Sequence, residues 1–184
     1  MGKQTGNIST SYNVLVALRQ IIQAIDVHSK KLIKQFGLTG PQLIVLQEIS
    51  RSQSITASEL AKEISLSQAT VTGILDRLGK RGLISRRRSE NDRRRVFAKT
   101  TPAGGKMLDA APPLMQESFT EQFNCLETWE QNMILSSLQR LVALMGARKI
   151  VAAPILATGS IENVKESVNN FPDVKEEGRK PKEA

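Results

Sequence analysis

The chain has 184 residues and a formal net charge of +8, and 40% of its residues are hydrophobic whereas only 4% are aromatic. This length allows one folded domain with its own core plus an oligomerisation element, and a core of aliphatic side chains suits packed helices. A membrane-spanning helix is excluded, because the longest apolar stretch, residues 150–157, is much shorter than the roughly 20 residues that a bilayer requires.

Two further features of the sequence predict a cytoplasmic protein. Residues 1–13 are polar and lack the order of charged and then apolar residues that marks a secretion signal. The single cysteine, Cys125, has no second cysteine with which to form an internal disulfide, as expected in a reducing compartment.

The positive charge is concentrated in one segment. Residues 77–99 contain ten Lys or Arg residues against two acidic residues, a net charge of +8 that equals the net charge of the whole chain. The rest of the chain is therefore neutral. A neutral body with one basic element predicts contact with a polyanion, and a solvated charged loop is the alternative.

The first predicted helix is long. Residues 1–11 form a flexible tail before it. Apolar residues then recur at helical spacing from Val14 to Phe36, and Gly37 is placed to end the helix.

Capping motifs predict where the next two helices begin. In "TGPQ", residues 39–42, Thr39 is followed three residues later by Gln42, and Pro41 suits the first helical turn. The sequence "TASE", residues 56–59, repeats this pattern at the start of a short third helix.

The most informative segment is "SLSQATVTGILDRLGKRGLI", residues 65–84. Ser67 can cap a helix there and Gly82 can end it, while the apolar residues from Val71 to Leu78 fall on one helical face. The tight turn before Ser67 joins this helix to the third one, as in a helix-turn-helix, although other helical hairpins share this pattern. Small and hydroxylated residues on the opposite face would let the helix enter the DNA major groove, with basic residues at its rear reaching phosphates.

Two short β-compatible segments follow, residues 83–88 and 95–101, separated by the turn-forming residues 89–92. A hairpin directly behind a recognition helix is a wing, whose tip arginines can enter the minor groove while arginines along the strands face phosphates. The basic cluster is thus expected to find its counter-charge on DNA. We expect Asp92 at the tip to orient Arg94 through a fork-like pair, and the alternative is a plain turn-forming aspartate.

The C-terminal half predicts helices that need a partner. Thr101 caps and Pro102 begins a helix that Pro112 and Pro113 should kink or interrupt, and "TWEQ", residues 128–131, is a third capping box. Long helices outside a compact winged unit leave apolar stripes uncovered, so we expect a homodimer. A monomeric helical bundle is the alternative.

The chain divides into a helical dimerisation region, residues 12–37 and 102–147, and a winged helix-turn-helix DNA-binding domain, residues 38–101. Residues 148–184 form a C-terminal extension that we expect to be largely disordered after residue 158. Within it, residues 150–157 can continue as a short helix until Pro154 disturbs them.

No catalytic, cofactor or metal site is predicted. The single histidine, His28, has no nucleophile turn near it, and one His with one Cys makes no recognisable set of metal ligands. We expect His28 to be a partly exposed helix residue and Cys125 to be buried filler rather than a redox sensor.

The order of these elements resembles the multiple antibiotic resistance regulator (MarR) family over residues 12–147. The most specific parts are "LGKRGLI" at the exit of the recognition helix, "DRR" at the wing tip, and Thr101 with Gly104 at the start of the next helix. The resemblance implies a homodimer on a palindromic operator, with Arg94 in the minor groove and residues 67–77 in the major groove. It also implies repression by exclusion of polymerase, and release of DNA by a small aromatic or amphipathic effector bound between the dimer helices and the winged domain.

The predicted fold is therefore mainly α with a small β-hairpin wing, a winged helix-turn-helix with a helical dimerisation region. The predicted function is sequence-specific binding of double-stranded DNA in transcription regulation, most simply as a repressor, with no enzymatic activity. The alternative is a winged-helix module that binds protein, which would associate with DNA weakly and without salt dependence. The predicted DNA-contacting residues are Ser67, Gln68, Ala69, Thr70, Thr72, Arg77, Arg86, Arg88, Asp92, Arg93, Arg94 and Arg95.

Overall fold

The computed structural model describes residues 9–88 and 96–157, which form seven α-helices and a three-stranded sheet. The elements in chain order are α1 (Thr10–Phe36), α2 (Gly40–Ser52), β1 (Ile55–Thr56), α3 (Ala57–Glu63), α4 (Gln68–Lys80), β2 (Ile84–Arg88), β3 (Val96–Thr100), α5 (Pro102–Ala110), α6 (Met115–Asn124) and α7 (Thr128–Leu144). A short 3₁₀ turn, Ala147–Lys149, follows α7. The predicted mainly α fold with a small β-hairpin is confirmed.

The hydrophobic core lies in the middle of the chain. Helices α2, α3 and α4 pack on one another and on the sheet, and they supply most of the fully buried side chains. The flanking helices add few residues to this core, chiefly Leu32 near the end of α1 and Leu114 just before α6. The largest fully buried side chains are Leu32, Leu38, Leu43, Val45, Leu46, Ile49, Leu60, Leu66, Val71 and Leu78.

The sheet contains the predicted hairpin and one strand that the sequence did not predict. Strands β2 and β3 pair antiparallel, with Ile84 opposite Thr100 and Arg88 opposite Val96. Strand β1 pairs with the other edge of β3, giving the order β1-β3-β2. Two residues are too few to show an alternating pattern, and Thr56 also caps α3, so the cap motif hides the strand in the sequence.

Three predicted helix boundaries are confirmed, whereas the predicted tail of residues 1–11 is two residues too long, because α1 begins at Thr10. Gly37 ends α1 with a left-handed φ of 64°, a conformation that glycine adopts without strain. Thr39 caps α2, where its backbone N–H donates to Gln42 Oε1 at 3.0 Å. Thr56 caps α3, with its Oγ1 accepting from the backbone N–H of Glu59 at 3.3 Å.

The third predicted capping box is wrong by one residue. Glu127 is the N-cap of α7 and Thr128 is the first helical residue, and the Glu127 N–H donates to Glu130 Oε2 at 2.9 Å. Gln131 cannot serve in the predicted box because its amide is used elsewhere. Its Nε2 donates to the carbonyls of Phe123 at 3.2 Å and Leu126 at 3.0 Å, where α6 ends.

The two consecutive prolines interrupt the helix that follows the wing, as predicted. Helix α5 ends at Ala110, and α6 begins at Met115 after Pro112 and Pro113. Leu114 caps α6 from a buried position, and its N–H donates to Glu117 Oε2 at 2.8 Å.

Residues 150–157 are not helical, which corrects the predicted short helix. They cross back from the end of α7 to the core, where Ala153 and Ile155 pack, and we call them the C-terminal strap. Pro154 explains the difference, because its ring removes one N–H donor and disfavours the α conformation of the residue before it. The predicted disorder after residue 158 lies outside the described residues.

The long helices α1 and α7 carry much of their apolar surface exposed. Of the residues of α1, all of which are described, Ser29 and Leu32 are the buried ones. Helix α7 contains no buried residue. Among the described helices, none combines the length and apolarity needed to cross a membrane.

Candidate nucleic-acid interface

Helices α3 and α4 form the helix-turn-helix. Ile64 caps the end of α3, Ser65 takes a left-handed φ of 54°, and Leu66 is buried at the turn. Ser67 then begins α4, and its Oγ accepts from the backbone N–H of Thr70 at 3.1 Å. The tight turn fixes the angle at which α4 leaves the core.

Helix α4 has one apolar and one polar face. Val71, Ile74, Leu75 and Leu78 are the buried residues of this helix and anchor it to the core. Roughly 2 kcal/mol of stabilisation accompanies full burial of each such side chain. The polar face is therefore held outward by the burial of the opposite face.

The structure separates the predicted contact residues of α4 into buried and exposed ones. Ser67 is buried, and its hydroxyl oxygen lies 2.8 Å from Thr70 Oγ1 in addition to capping the helix. Gln68, Ala69 and Thr72 are exposed on the first turns. The Thr72 hydroxyl donates to the Gln68 carbonyl at 2.8 Å, so its methyl group and oxygen lone pairs remain available to a ligand.

Arg86 has a counter-charge within the chain, and its contact with DNA stays a prediction. Its Nη1 lies 2.7 Å from Asp76 Oδ1, so strand β2 and the outward face of α4 are joined by an ion pair. Both side chains are partly exposed, and such a pair contributes about 0–1 kcal/mol because water screens it. The two opposite charges meet because α4 and β2 pack against each other.

Two of the other predicted basic residues form no ion pair with another described residue. Arg77 near the end of α4 and Arg88 at the end of β2 are exposed. Within residues 9–88 and 96–157, no carboxylate pairs with either guanidinium group. Asp92, Arg93, Arg94 and Arg95 lie outside the described residues.

A shallow groove borders α4 on the side of the sheet. It has a volume of about 520 Å³ and lies between the start of α3, the start of α4 and the strands. Gln68 and Thr72 line one wall, and Arg86 and Val96 line the opposite wall. The exposed face of α4 and the root of the wing thus form one continuous surface.

Arg81 makes an interaction that the sequence did not predict. It follows the last residue of α4, and its guanidinium donates from Nη1 to the Gly37 carbonyl at 2.6 Å and from Nη2 to the Phe36 carbonyl at 2.9 Å. These carbonyls lie at the end of α1, more than 40 positions earlier in the chain. No local signal in the sequence pairs residues so far apart.

The structure confirms the prediction for His28 and contradicts the prediction for Cys125. His28 is half-buried on α1, as predicted, and its buried Nε2 has no hydrogen-bond partner among the described residues. Cys125 is exposed at the end of α6, where its Sγ donates to the Glu121 carbonyl at 3.3 Å, so the prediction of buried filler is wrong. A position between two helices looked apolar in sequence, but α6 and α7 leave this turn at the surface. Among the described residues, no group of three or more His, Cys, Asp or Glu side chains could hold a metal ion.

The sequence of the chain is similar to those of known transcriptional regulators. The MarR family model matches residues 38–96, which include the helix-turn-helix and most of the wing. The chain is 26% identical over 115 residues to the HTH-type transcriptional regulator FarR of Neisseria gonorrhoeae, covering 62% of this chain and 76% of that protein. It is 23% identical over 137 residues to the homoprotocatechuate degradative operon repressor of Escherichia coli, covering 74% of this chain and 93% of that protein.

A solved structure supports the fold. The structure of S. aureus MepR in complex with DNA superposes on this chain with a TM-score of 0.53 and 22% identity, covering 74% of this chain and 98% of that one. At this identity the likeness establishes the shared winged-helix architecture. The family match and the relatives point to regulators of transcription rather than to enzymes.

Proposed function

Because the chain belongs to the MarR family of winged helix-turn-helix transcriptional regulators, we propose that it represses transcription by binding a palindromic operator as a cytoplasmic homodimer. The observation that carries the proposal is the exposed polar face of α4, which is fixed outward by its buried face and bordered by a basic strand. The E. coli relative is named a repressor, which supports repression rather than activation.

The exposed residues of α4 suit contacts with base edges in the major groove. A glutamine side chain such as Gln68 can bond adenine through two hydrogen bonds, and the methyl groups of Ala69 and Thr72 can pack on thymine methyl groups. Arg77, two turns further along the helix, can reach a phosphate. Ser67 and Thr70 support this surface from the cap rather than from its outer face.

The wing supplies the second contact. Arg88 is exposed at the end of β2, two residues after Arg86, so both side chains lie on the same face of this strand. We expect this contact to continue at the wing tip. There Arg93, Arg94 and Arg95 would enter the minor groove, and Asp92 would orient Arg94. Arg86 would exchange Asp76 for a phosphate only if the gain exceeded the weak internal pair.

The exposed apolar faces support a homodimer. Leu135, Leu138 and Val142 share one face of α7 and are each more than 40% exposed, and Leu15 and Ile22 are more than 60% exposed on α1. A single chain that leaves such surface uncovered argues against the monomeric bundle. A two-fold dimer would place a second α4 about 34 Å away, one turn of DNA from the first.

A small aromatic or amphipathic effector completes the proposal. It would bind between the helices of the dimer and the winged unit and would favour a dimer whose recognition helices no longer match the operator. The differential affinity of the effector for the two states sets how far it can shift the equilibrium.

Selection of bound fragments from the source genome by the purified full chain tests the proposal. We expect a palindromic sequence, and an affinity that falls with salt with a log–log slope of about 0.9 per neutralised phosphate. Arg77→Ala should reduce that slope by about one phosphate, whereas the matched control Arg140→Ala on exposed α7 should leave it unchanged. Weak binding without salt dependence would favour the protein-binding module instead.

A further inference from the structure

Helix α1 is attached to the winged unit only near its C-terminal end. Its 27 residues span about 40 Å, yet its buried residues, Ser29 and Leu32, lie in the last third of the helix. A tilt of about 10° at this attachment would move the far end of α1 by about 7 Å, given a length of 1.5 Å per residue. The attachment therefore decides how the winged unit is oriented relative to the proposed dimer interface.

The apolar contacts at this attachment are not directional. Leu32 and Leu38 are fully buried, and Phe36 packs half-buried against the core. Hydrophobic burial stabilises the contact between α1 and the winged unit but depends little on the angle between them. A fixed angle needs a group with directional bonds.

Arg81 supplies those directional bonds. Its planar guanidinium donates to the carbonyls of Phe36 and Gly37 at 2.9 and 2.6 Å, at the C-terminus of α1 where carbonyls lack helical partners. The partial negative charge of the helix end favours a cation there. The left-handed turn at Gly37 presents its carbonyl beside that of Phe36, so both bonds of the fork can form.

The other end of this link is fixed to the recognition helix. The backbone N–H of Arg81 donates to the Arg77 carbonyl at 3.2 Å, and Gly82 donates to the Gly79 carbonyl at 2.9 Å. The Thr101 hydroxyl then donates to the Gly82 carbonyl at 2.7 Å, which joins this corner to the start of α5. The backbone that carries Arg81 is thus part of the end of α4 rather than of a loose loop.

We infer that Arg81 is a positioning residue for DNA binding: it fixes the angle between α1 and α4, and thereby the distance between the two recognition helices. The inference rests on the proposed homodimer on a palindromic site. When one recognition helix is bound, binding of the other is intramolecular, and its effective concentration is highest when the protein already holds the spacing of the half-sites. A looser angle lowers that concentration at the correct spacing and raises it at incorrect spacings.

The test compares Arg81→Ala and Arg81→Lys with the wild type on three DNA duplexes. The first carries the palindrome recovered by genomic selection, the second has one base pair inserted at its centre, and the third carries a single half-site. Arg81→Ala should lower the preference for the correct spacing by about tenfold while changing half-site affinity by less than about twofold. The spacing preference of Arg81→Lys should lie between those of the wild type and Arg81→Ala, because an ammonium group cannot bond both carbonyls with the geometry of the guanidinium fork.

Lys80→Ala is the matched control, because Lys80 is an exposed basic residue in the last turn of α4. Loss of a phosphate contact would weaken binding to all three duplexes alike and lower the salt slope by about 0.9. If Arg81→Ala behaves in this way, or keeps the spacing preference of the wild type, Arg81 is not the positioning residue. If the wild type itself binds none of the duplexes, the proposed function fails first.

Hydrogen exchange of the DNA-free chain checks the link itself. Removal of the guanidinium leaves the carbonyls of Phe36 and Gly37 without these partners, so the last turn of α1 should fray. Amides of residues 33–38 should exchange about tenfold faster in Arg81→Ala and at the wild-type rate in Lys80→Ala. Unchanged exchange in Arg81→Ala would overturn the inference without reference to DNA.

Discussion

Gly104 sits where helix α5 approaches the root of the wing most closely. A Cβ atom added at Gly104 would overlap the backbone carbonyl oxygen of Leu83 and would lie 2.8 Å from Thr100 Cγ2. That carbonyl also accepts from the Thr101 N–H at 3.1 Å, and Leu83 is buried. Gly104→Ala therefore cannot be accommodated by rotation of a side chain, and the backbones of α5 and the wing must separate.

The size of the effect follows from this geometry. Overpacking of a tight site costs about 1–3 kcal/mol, and a weakened hydrogen bond from Thr101 to Leu83 adds about 1 kcal/mol. The better helix propensity of alanine returns up to about 1 kcal/mol. We expect a net loss of about 1–3 kcal/mol in the free energy of unfolding, which lowers the Tm by about 2–12 °C in a protein of this size.

Gly105 provides the control in the adjacent position. Nothing lies within 4 Å of a Cβ at Gly105, so Gly105→Ala should gain about 0.5–1 kcal/mol from helix propensity and raise the Tm. Thermal unfolding followed by circular dichroism, at equal protein concentrations, measures both variants. Equal Tm values for Gly104→Ala and the wild type would refute the close approach of α5 to the wing.

Two further predictions concern the C-terminal strap and helix α2. A Cβ at Gly40 would lie 2.9 Å from the Cβ of Ala157. Gly40→Ala should therefore destabilise the full chain by about 1 kcal/mol in chemical denaturation but have little effect in a chain that ends at Lys149. Equal losses of stability in both chains would contradict the contact between the strap and α2. Glu48 accepts two hydrogen bonds from Arg51, which lower its pKa below the ordinary 4.5, with a smaller contribution from the Ser52 hydroxyl, while burial opposes the shift. The resulting stabilisation is present above the ordinary pKa and is lost as the pH falls through the lowered pKa. Arg51→Ala should raise the pKa of Glu48 in an NMR titration. An unchanged pKa would show that the pair of Glu48 and Arg51 does not form in solution.

Local signals in the sequence predicted much of the helix-turn-helix. The side chains of Thr56 and Ser67 each accept a hydrogen bond from a backbone N–H three residues later, so the residues that decide these helix starts are near neighbours in sequence. The buried face of α4, from Val71 to Leu78, likewise follows from helical periodicity alone. Such features are predictable because the interacting groups lie within two turns of one another.

Two interactions that the sequence did not predict depend on distant contacts. Arg81 meets the end of α1 across more than 40 residues, and Arg86 meets Asp76 only after the chain has reversed at Gly82. Both arginines look alike in sequence, as members of one basic cluster. Their partners are decided by the packing of α1, α4 and the sheet, and a pattern of residue types carries no information on that packing.

The strap between α7 and the core also restricts how far the molecule can open. Ala153, which packs on the core, lies only four positions after Lys149, the last residue of the 3₁₀ turn. Fully extended, these residues span at most about 14 Å. While Ala153 and Ile155 remain in place, the 3₁₀ turn after α7 therefore cannot move further than this from Ala153, so large rotations of α7 away from the winged unit must begin with release of the strap.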